Sequence, residues 1–317
     1  MTASPGFSEG KLIAVDWGTS RLRARLVDGR GAVVAAAESD KGIGALSAGQ
    51  HEAAFEAAVA GWPNVAAILS GMIGSRQGWR EVPYVPCPAS AAAIAGAVTR
   101  LTTGRGRQVA IIPGLRATAG EGDVMRGEET QIIGALDGEP DFDGLAILPG
   151  THSKWAKIER GGISAFHTFM SGELFDLLAR TSFLRHSVAD PHAAGDLSGS
   201  ADFRRGVERT AREGVPFLAT LFSVRVRYLL AEAKPADNLA YLSGLIIGGE
   251  IAAATALGAL SANTPIRIIA ASGLARAYHR AFEILGYATV ALDGDRMALA
   301  GLLHVARAIG LMAEEVG

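Results

Sequence analysis

Two short stretches hold residues whose types and order suit phosphate chemistry: Asp16-Trp17-Gly18-Thr19-Ser20 and Gly150-Thr151-His152-Ser153-Lys154. Backbone N–H groups in a Gly-Thr turn can cradle phosphate oxygens, and the hydroxyls of Thr19, Ser20 and Thr151 add donors. Two such turns facing each other would grip a polyphosphate. Asp16 alone would repel phosphate, so its place two residues before Gly18 makes sense with a divalent cation between them; Mg²⁺ takes oxygen ligands and keeps several of its waters. Lys154, just past the second turn, suits neutralisation of charge growing on a transferred group. Either dipeptide alone would read as an ordinary hairpin turn. The pair together with the acid points to phosphate, and the absence of a G-x-x-x-x-G-K-[ST] run excludes a P-loop.

A phosphotransferase also needs a group to take the proton of an acceptor hydroxyl. Carboxylates gather in "GEGDVMRGEETQIIGAL", with Asp123 in a predicted loop and Glu128 and Glu129 opening an apolar-periodic helix. Acids in a first helical turn also favour the helix dipole without any catalysis, so the choice among the three stays open. The glycine pattern in "GEGDVMRG", residues 120–127, is too loose to mark a nucleotide site by itself.

Acceptor recognition fits "SGMIGSRQGWREVPYVPCPAS", residues 70–90, whose glycines and prolines predict an ordered loop beginning at Ser70 and Gly71. Arg76 or Arg80 can pair bidentately with a substrate carboxylate, while Trp79 shields the site from water. "FMSGELFDLL" sets Ser171 and Glu173 at a helix start, as a cap or as sugar-hydroxyl contacts. His152 has no second His or Cys at ligand spacing, which argues against zinc. "IRIIAASGLARAYHRAFEILGY" reads as strand, Gly turn and helix, with Ser272 and Gly273 either a shelf for a nucleotide base or an ordinary βα turn.

The elements that must position these residues alternate in type. Leu12 to Val15 form an apolar strand, and beyond the turn Leu22, Ala24 and Leu26 fall on one strand face with Arg21, Arg23 and Arg25 on the other. Helices are predicted at 51–60, 89–102 and 127–136, and strands at 65–71 and 108–114. Strands alternating with helices give an α/β protein. Gly18-Thr19 and Gly150-Thr151 each follow an apolar strand and precede a second one, so the same β-hairpin device occurs twice, with Leu148 where the first copy has Asp16. The acidic, Gly- and Pro-containing segment "LDGEPDFDG", residues 136–144, is the best domain boundary.

Composition narrows the partners. The 317 residues carry 30 Lys and Arg against 32 Asp and Glu, a net charge of −2, so no basic field recruits nucleic acid or an anionic membrane. The single Cys87 excludes an internal disulfide, and "MTASPGFSEGK" lacks signal-peptide patterning, which reads as cytoplasmic. The run Leu239 to Leu260 is long enough to span a bilayer, but Glu250 and the Gly248-Gly249 pair make it a core segment. Nothing in the sequence decides between a monomer and a homodimer.

In order, "VDWGTS", "GDVMRGEETQIIGA", "LPGTHSKW", "FMSGELFDLL", "ASGLARAY" and "DGDRMALAGLLHVAR" resemble the 2-dehydro-3-deoxygalactonokinases, sugar-acid kinases of the superfamily of actin and hexokinase. The resemblance runs nearly end to end. It implies two ribonuclease-H-like domains, with ATP and Mg²⁺ in the cleft between them. Residues 1–138 would hold the first phosphate motif, the acceptor-binding loop and the catalytic acid, and residues 139–317 the second phosphate and adenosine motifs. It implies ATP-dependent phosphorylation of the 6-hydroxyl of 2-dehydro-3-deoxy-D-galactonate, a step of galactonate breakdown. Asp16 to Ser20 match the first phosphate motif, with Asp16 toward the metal, Gly150 to Lys154 the second, and Ser272 to Gly273 the adenosine motif. The rival readings are a kinase for the gluconate epimer, a hydrolytic ATPase or phosphatase of the same superfamily, and a silent sugar sensor. The sensor would normally carry an added DNA-binding segment, which this sequence does not show.

Overall fold

The computed structural model describes residues 10–118 and 122–312. The signal-peptide reading of residues 1–9, and Gly120 and Glu121 of the loose glycine pattern, lie outside the described residues.

Leu12–Trp17 (β1) and Leu22–Val27 (β2) pair antiparallel with Asp16 opposite Arg23. Leu22, Ala24 and Leu26 are buried, while Arg23 and Arg25 are half-exposed, so the alternation in sequence sets the face that enters the core. Then follow Val33–Ser39 (β3), His51–Ala58 (α1), Ala66–Ser70 (β4), Val85–Pro86 (β5), Ala91–Gly96 (α2), Thr99–Thr102 (β6), Gln108–Ile111 (β7), Leu115–Ala117 (β8), Asp123–Met125 (β9) and Glu128–Ala135 (α3). Among the described residues, six of these strands form a sheet in the order β3-β2-β1-β4-β7-β6, with β4 parallel to β1 and β7 parallel to β4. Ile13, Val15, Trp17, Phe55, Leu69 and Ile111 pack beneath it. Two expectations change here. The Ala-rich helix expected over 89–102 stops at Gly96, because Thr99–Thr102 pairs antiparallel with β7 around a turn closed by Gly106 at φ +77°. Asp123, expected in a loop, lies in β9 opposite Ala117.

The second sheet repeats the plan. Gly144–Leu148 (β10) pairs antiparallel with Ser153–Glu159 (β11), Leu148 opposite Lys154. Gly162–Phe169 (β12), Ser171–Arg180 (α4), Ala201–Val207 (α5), Phe217–Leu229 (α6), Pro235–Ala256 (α7), Ile266–Ala270 (β13), Ser272–Leu285 (α8) and Thr289–Asp293 (β14) complete it. The sheet order is β12-β11-β10-β13-β14, with β13 parallel to β10 and β14 parallel to β13. A hairpin strand pair continued by parallel strands thus occurs twice, the ribonuclease-H-like plan of actin- and hexokinase-type proteins. Helix α7 is long and apolar enough to cross a membrane by composition, yet Leu239, Leu242, Leu245 and Glu250 are buried within the unit. Gly206 and Gly244 let α5 and α7 touch backbone to backbone, since a Cβ on either would collide with a carbonyl of the other.

The last helix, Gly294–Ala308 (α9), packs on α3 at the glycines Gly134 and Gly301, where a Cβ would collide with the Met297 and Thr130 carbonyls. The chain accordingly divides into one compact unit of residues up to Phe142, Glu159–Ala165 and the segment from Gly294, and a second of Asp143–Ile158 and Phe166–Asp293. A single cut after residue 138 would leave α9 with the wrong partner.

Candidate active site

In the first unit, the inner strand β1 carries Asp16 near its C-terminal end and the Gly18–Ser20 turn follows, closed by Gly18 N–H to Arg21 O at 2.9 Å. The segment Gly42–Gly44 supports this turn from below: Gly44 N–H donates to Thr19 O at 2.9 Å, and a Cβ on Gly42 would collide with that oxygen. Thr19 and Ser20 are exposed. Asp16 is about a quarter exposed and lies 3.4 Å from Arg23 Nη1, itself 3.6 Å from Asp295 Oδ1. Burial pushes the Asp16 carboxyl above its ordinary range, Arg23 pulls it back, and Asp295 adds to the rise.

Ser70 is buried and pairs with Asp16 across the parallel β1–β4 ladder. Gly71 has φ +92°, and a Cβ there would stand 2.7 Å from Trp17 O and 3.5 Å from Asp16 Oδ1, so only glycine fits. Gly127, at φ +111°, lies so close that its Cβ would be 3.3 Å from Gly71 Cα. Asp16, Ser70, Gly71 and the start of α3 therefore gather at one place.

The three acids separate by environment. Glu129 is fully buried and accepts the Gly127 N–H at 2.8 and 3.0 Å and the Thr130 hydroxyl at 3.1 Å. Burial, reinforced by Glu128, pushes its pKa up to about 7. Glu128 is half-buried, and its Oε2 accepts the Arg126 N–H at 3.0 Å. Asp123 accepts the Val124 N–H at 2.7 Å within β9. Arg76 and Arg80 are exposed, whereas Trp79 packs on Phe55 with ring centroids 5.8 Å apart and braces the loop from the core. Arg126, which sequence reasoning missed, stacks over Tyr84 at 4.2 Å and donates to Val82 O at 2.8 Å, tying the loop of residues 70–90 to the segment that leads into Gly127.

In the second unit, the Gly150–Thr151 turn meets the N-terminus of α4. Glu173 N–H donates to Thr151 O at 3.0 Å, and a Cβ on Gly172 would collide with Gly150 O. The other side of Gly150 is open, with nothing within 4 Å of a Cβ built there. His152 Nε2 and Glu173 Oε2 are 2.7 Å apart. Lys154 is buried, donates to Thr168 Oγ1 at 2.7 Å, and has Leu148 rather than an acid as its cross-strand partner. Two predicted contacts turn inward. Ser153, placed with the phosphate motif on sequence, is fully buried and donates its hydroxyl to Glu250 Oε1 at 2.7 Å. Ser171, the first residue of α4, also hydrogen-bonds Glu250 and does not cap its helix.

Ser272 and Gly273 are exposed at the start of α8, where β13 ends. Gly273, but not Ser272, joins Gly150, Gly172, Ile246 and Ile247 in lining a cavity of about 480 Å³, a size that suits a nucleotide. Asp196 and Arg276 pair at 3.1 Å on its wall. The chain matches the 2-keto-3-deoxy-galactonokinase family over residues 16–305.

The chain belongs to that family.

A protein of Rhizobium meliloti (strain 1021), named a probable 2-dehydro-3-deoxygalactonokinase, is 42% identical over 95% of this chain and 98% of its own length. The 2-dehydro-3-deoxygalactonokinase of Escherichia coli (strain K12) is 32% identical over 94% of this chain and 98% of its own. A crystal structure from Sinorhizobium meliloti, assigned by name to the same activity, superposes with a TM-score of 0.85 at 38% identity, covering 94% of this chain and 99% of that one. By family, then, this is a sugar kinase, a phosphotransferase.

The kinase's donors can be tested against a nucleotide. The glycines at 150, 172 and 273 leave backbone bare at the cavity, and its walls are mostly apolar, so an adenine nucleotide fits. Among the described residues no group of three or more His, Cys, Asp or Glu side chains could hold a metal. Asp16 beside an exposed Gly-Thr-Ser turn still fits Mg²⁺, which needs one or two carboxylates when phosphate oxygens and waters complete its shell.

Sequence reasoning also missed Glu250, where four donors converge: Ser153 Oγ at 2.7 Å and Trp155 Nε1 at 2.6 Å on Oε1, Tyr278 OH at 2.7 Å on Oε2, and the Ser171 side chain. Burial pushes this carboxyl up and the donors pull it back. Strand parity held part of the signal, since Ser153 and Trp155 share a face of β11.

Proposed function

We propose that this protein transfers the γ-phosphoryl group of ATP to the 6-hydroxyl of 2-dehydro-3-deoxy-D-galactonate, giving 2-dehydro-3-deoxy-6-phosphogalactonate and ADP in the cytoplasm. The observation that carries the reading is a family match embracing both Gly-Thr turns, the second open beside a nucleotide-sized cavity.

Each unit contributes its own groups. In the second, Gly150, Thr151 and His152 hold phosphates, Lys154 neutralises charge on the transferred group, and Ser272 and Gly273 seat the adenosine. Ser153 and Ser171 act from inside through Glu250. In the first, Thr19 and Ser20 donate to phosphate oxygens from the turn that the Gly18 N–H closes on Arg21 O, and Asp16 would hold Mg²⁺. The ion, when bound, neutralises and orients the phosphates. Glu128 receives the proton of the 6-hydroxyl, because it is half-exposed where Glu129 is fully buried, and Asp123 lies in β9. Ser70 and Gly71 shape the acceptor's floor and Arg76 pairs with its carboxylate.

The test is ATP- and Mg²⁺-dependent ADP release by the purified protein with 2-dehydro-3-deoxygalactonate, its gluconate epimer, galactonate, or no acceptor. Turnover confined to the first compound is expected. Equal release without acceptor would make the protein an ATPase and refute the proposal.

A further inference from the structure

We infer that Glu250 is a positioning residue that fixes the distance between the phosphate turn and the base-binding end of the second unit's cavity. The inference rests on the nucleotide reading above and deepens it.

Glu250 lies on α7 and is 4% exposed. Its donors come from segments with different tasks. Ser153 and Trp155 follow the Gly150–Thr151 turn directly on β11. Ser171 opens α4, whose Gly172 and Glu173 seat against that turn. Tyr278 lies on α8, whose first residues are Ser272 and Gly273, and it is also one of the residues that line the cavity. One carboxylate therefore joins the turn, the helix that seats it and the helix that begins at the base shelf.

The chemistry of the donors explains the acid. An indole N–H can only donate, so Oε1 must accept, and it accepts the Ser153 hydroxyl as well. Burial and the adjacent carboxylate drive the Tyr278 hydroxyl well above its ordinary pKa, so it remains a protonated donor toward Oε2. A buried carboxylate that satisfies several donors fixes their mutual positions, because releasing any one leaves a buried polar group unpaired. A bound nucleoside diphosphate must touch both ends of the cavity at once, whereas a nucleoside needs only the shelf. Glu250 should therefore govern how much affinity the phosphates add.

The experiment measures affinities for ADP and for adenosine by displacement of a fluorescent ADP analogue, in the wild-type protein and in Glu250→Ala, Tyr278→Phe, Ser153→Ala and Glu250→Gln. The ratio of ADP to adenosine affinity should fall about tenfold or more in Glu250→Ala. Tyr278→Phe, which cuts the tie to α8 alone, should lower it in the same direction with adenosine affinity little changed. Glu250→Gln, which keeps one accepting oxygen for Trp155 and Ser153, should restore most of the ratio. If Glu250→Ala does not fold, Tyr278→Phe and Ser153→Ala decide the matter. An unchanged ratio in both of those folded variants overturns the inference alone. Absence of ADP binding by the wild-type protein overturns the nucleotide reading and this inference with it.

Discussion

His152 Nε2 stands 2.7 Å from Glu173 Oε2, so the imidazole beside Thr151 is aimed by the helix that seats the same turn. The two side chains are 50% and 38% exposed, a setting in which an ion pair or hydrogen bond contributes under about 1 kcal/mol to folding. Its value lies in orientation. Glu173→Ala should leave the melting temperature within about 2 °C of wild type. It should raise the KM for ATP about fivefold, and the double variant with His152→Ala should be no worse than His152→Ala alone. Steady-state kinetics on the four proteins of that cycle check this.

Asp16→Asn keeps the side-chain volume and the β1–β2 ladder while removing the charge that faces Arg23. Folding should be preserved, and kcat should drop by about a hundredfold or more at saturating ATP and Mg²⁺. Thermal unfolding alongside an Mg²⁺ titration of activity separates the two effects. Near-normal turnover would end the metal role of Asp16.

Glu129 gives the first unit a pH signature. Its carboxyl titrates near 7 when folded, against 4.5 as the ordinary value. The folded state therefore binds more protons than the unfolded one between these values. This contribution to stability is fully present below pH 4.5 and is lost as pH rises through 7. Glu129→Gln retains an oxygen for the Gly127 N–H and removes the titration. Denaturant unfolding at pH 5 and pH 8 should show wild-type stability falling relative to the variant, by roughly 3 kcal/mol at most. Parallel curves for the two proteins would contradict the assignment.

Gly301→Ala forces a methyl group into the Thr130 carbonyl at the α3–α9 contact. A destabilisation of about 2 kcal/mol or more is expected, read as a lower urea midpoint with unchanged slope. Gly138→Ala would be a poor control because of its φ of +82°, whereas Gly96, with nothing within 4 Å of a Cβ, gives a fair one.

Much of the fold was legible because local pattern and tertiary role coincide. Leu22, Ala24 and Leu26 alternate with arginines, and that alternation is the buried face of β2. The repeated Gly-Thr hairpin was visible in sequence and recurs in two sheets of matching order. Thr99–Thr102 was misread because the alanines before it favour a helix, while pairing with β7 across an intervening turn decides its state. Ser153 was misread for a related reason: its partner Glu250 is 97 residues away, and no local spacing announces that hydrogen bond. Glu129 looked as available as Glu128 until the fold buried one of two adjacent acids and left the other half-exposed.

The packing of Gly301 on Thr130 also sets an order of events. A chain made from its N-terminus emerges with the first sheet in hand but without α9, which groups with that sheet's unit. The surface of α3 around Gly134 stays uncovered until residues beyond 294 have left the ribosome. The second unit, whose last strand ends at Asp293, already has all its residues by then. Residues of the first unit thus bracket those of the second, and a nascent chain stalled before α9 would expose glycine-lined backbone to whatever waits at the tunnel exit.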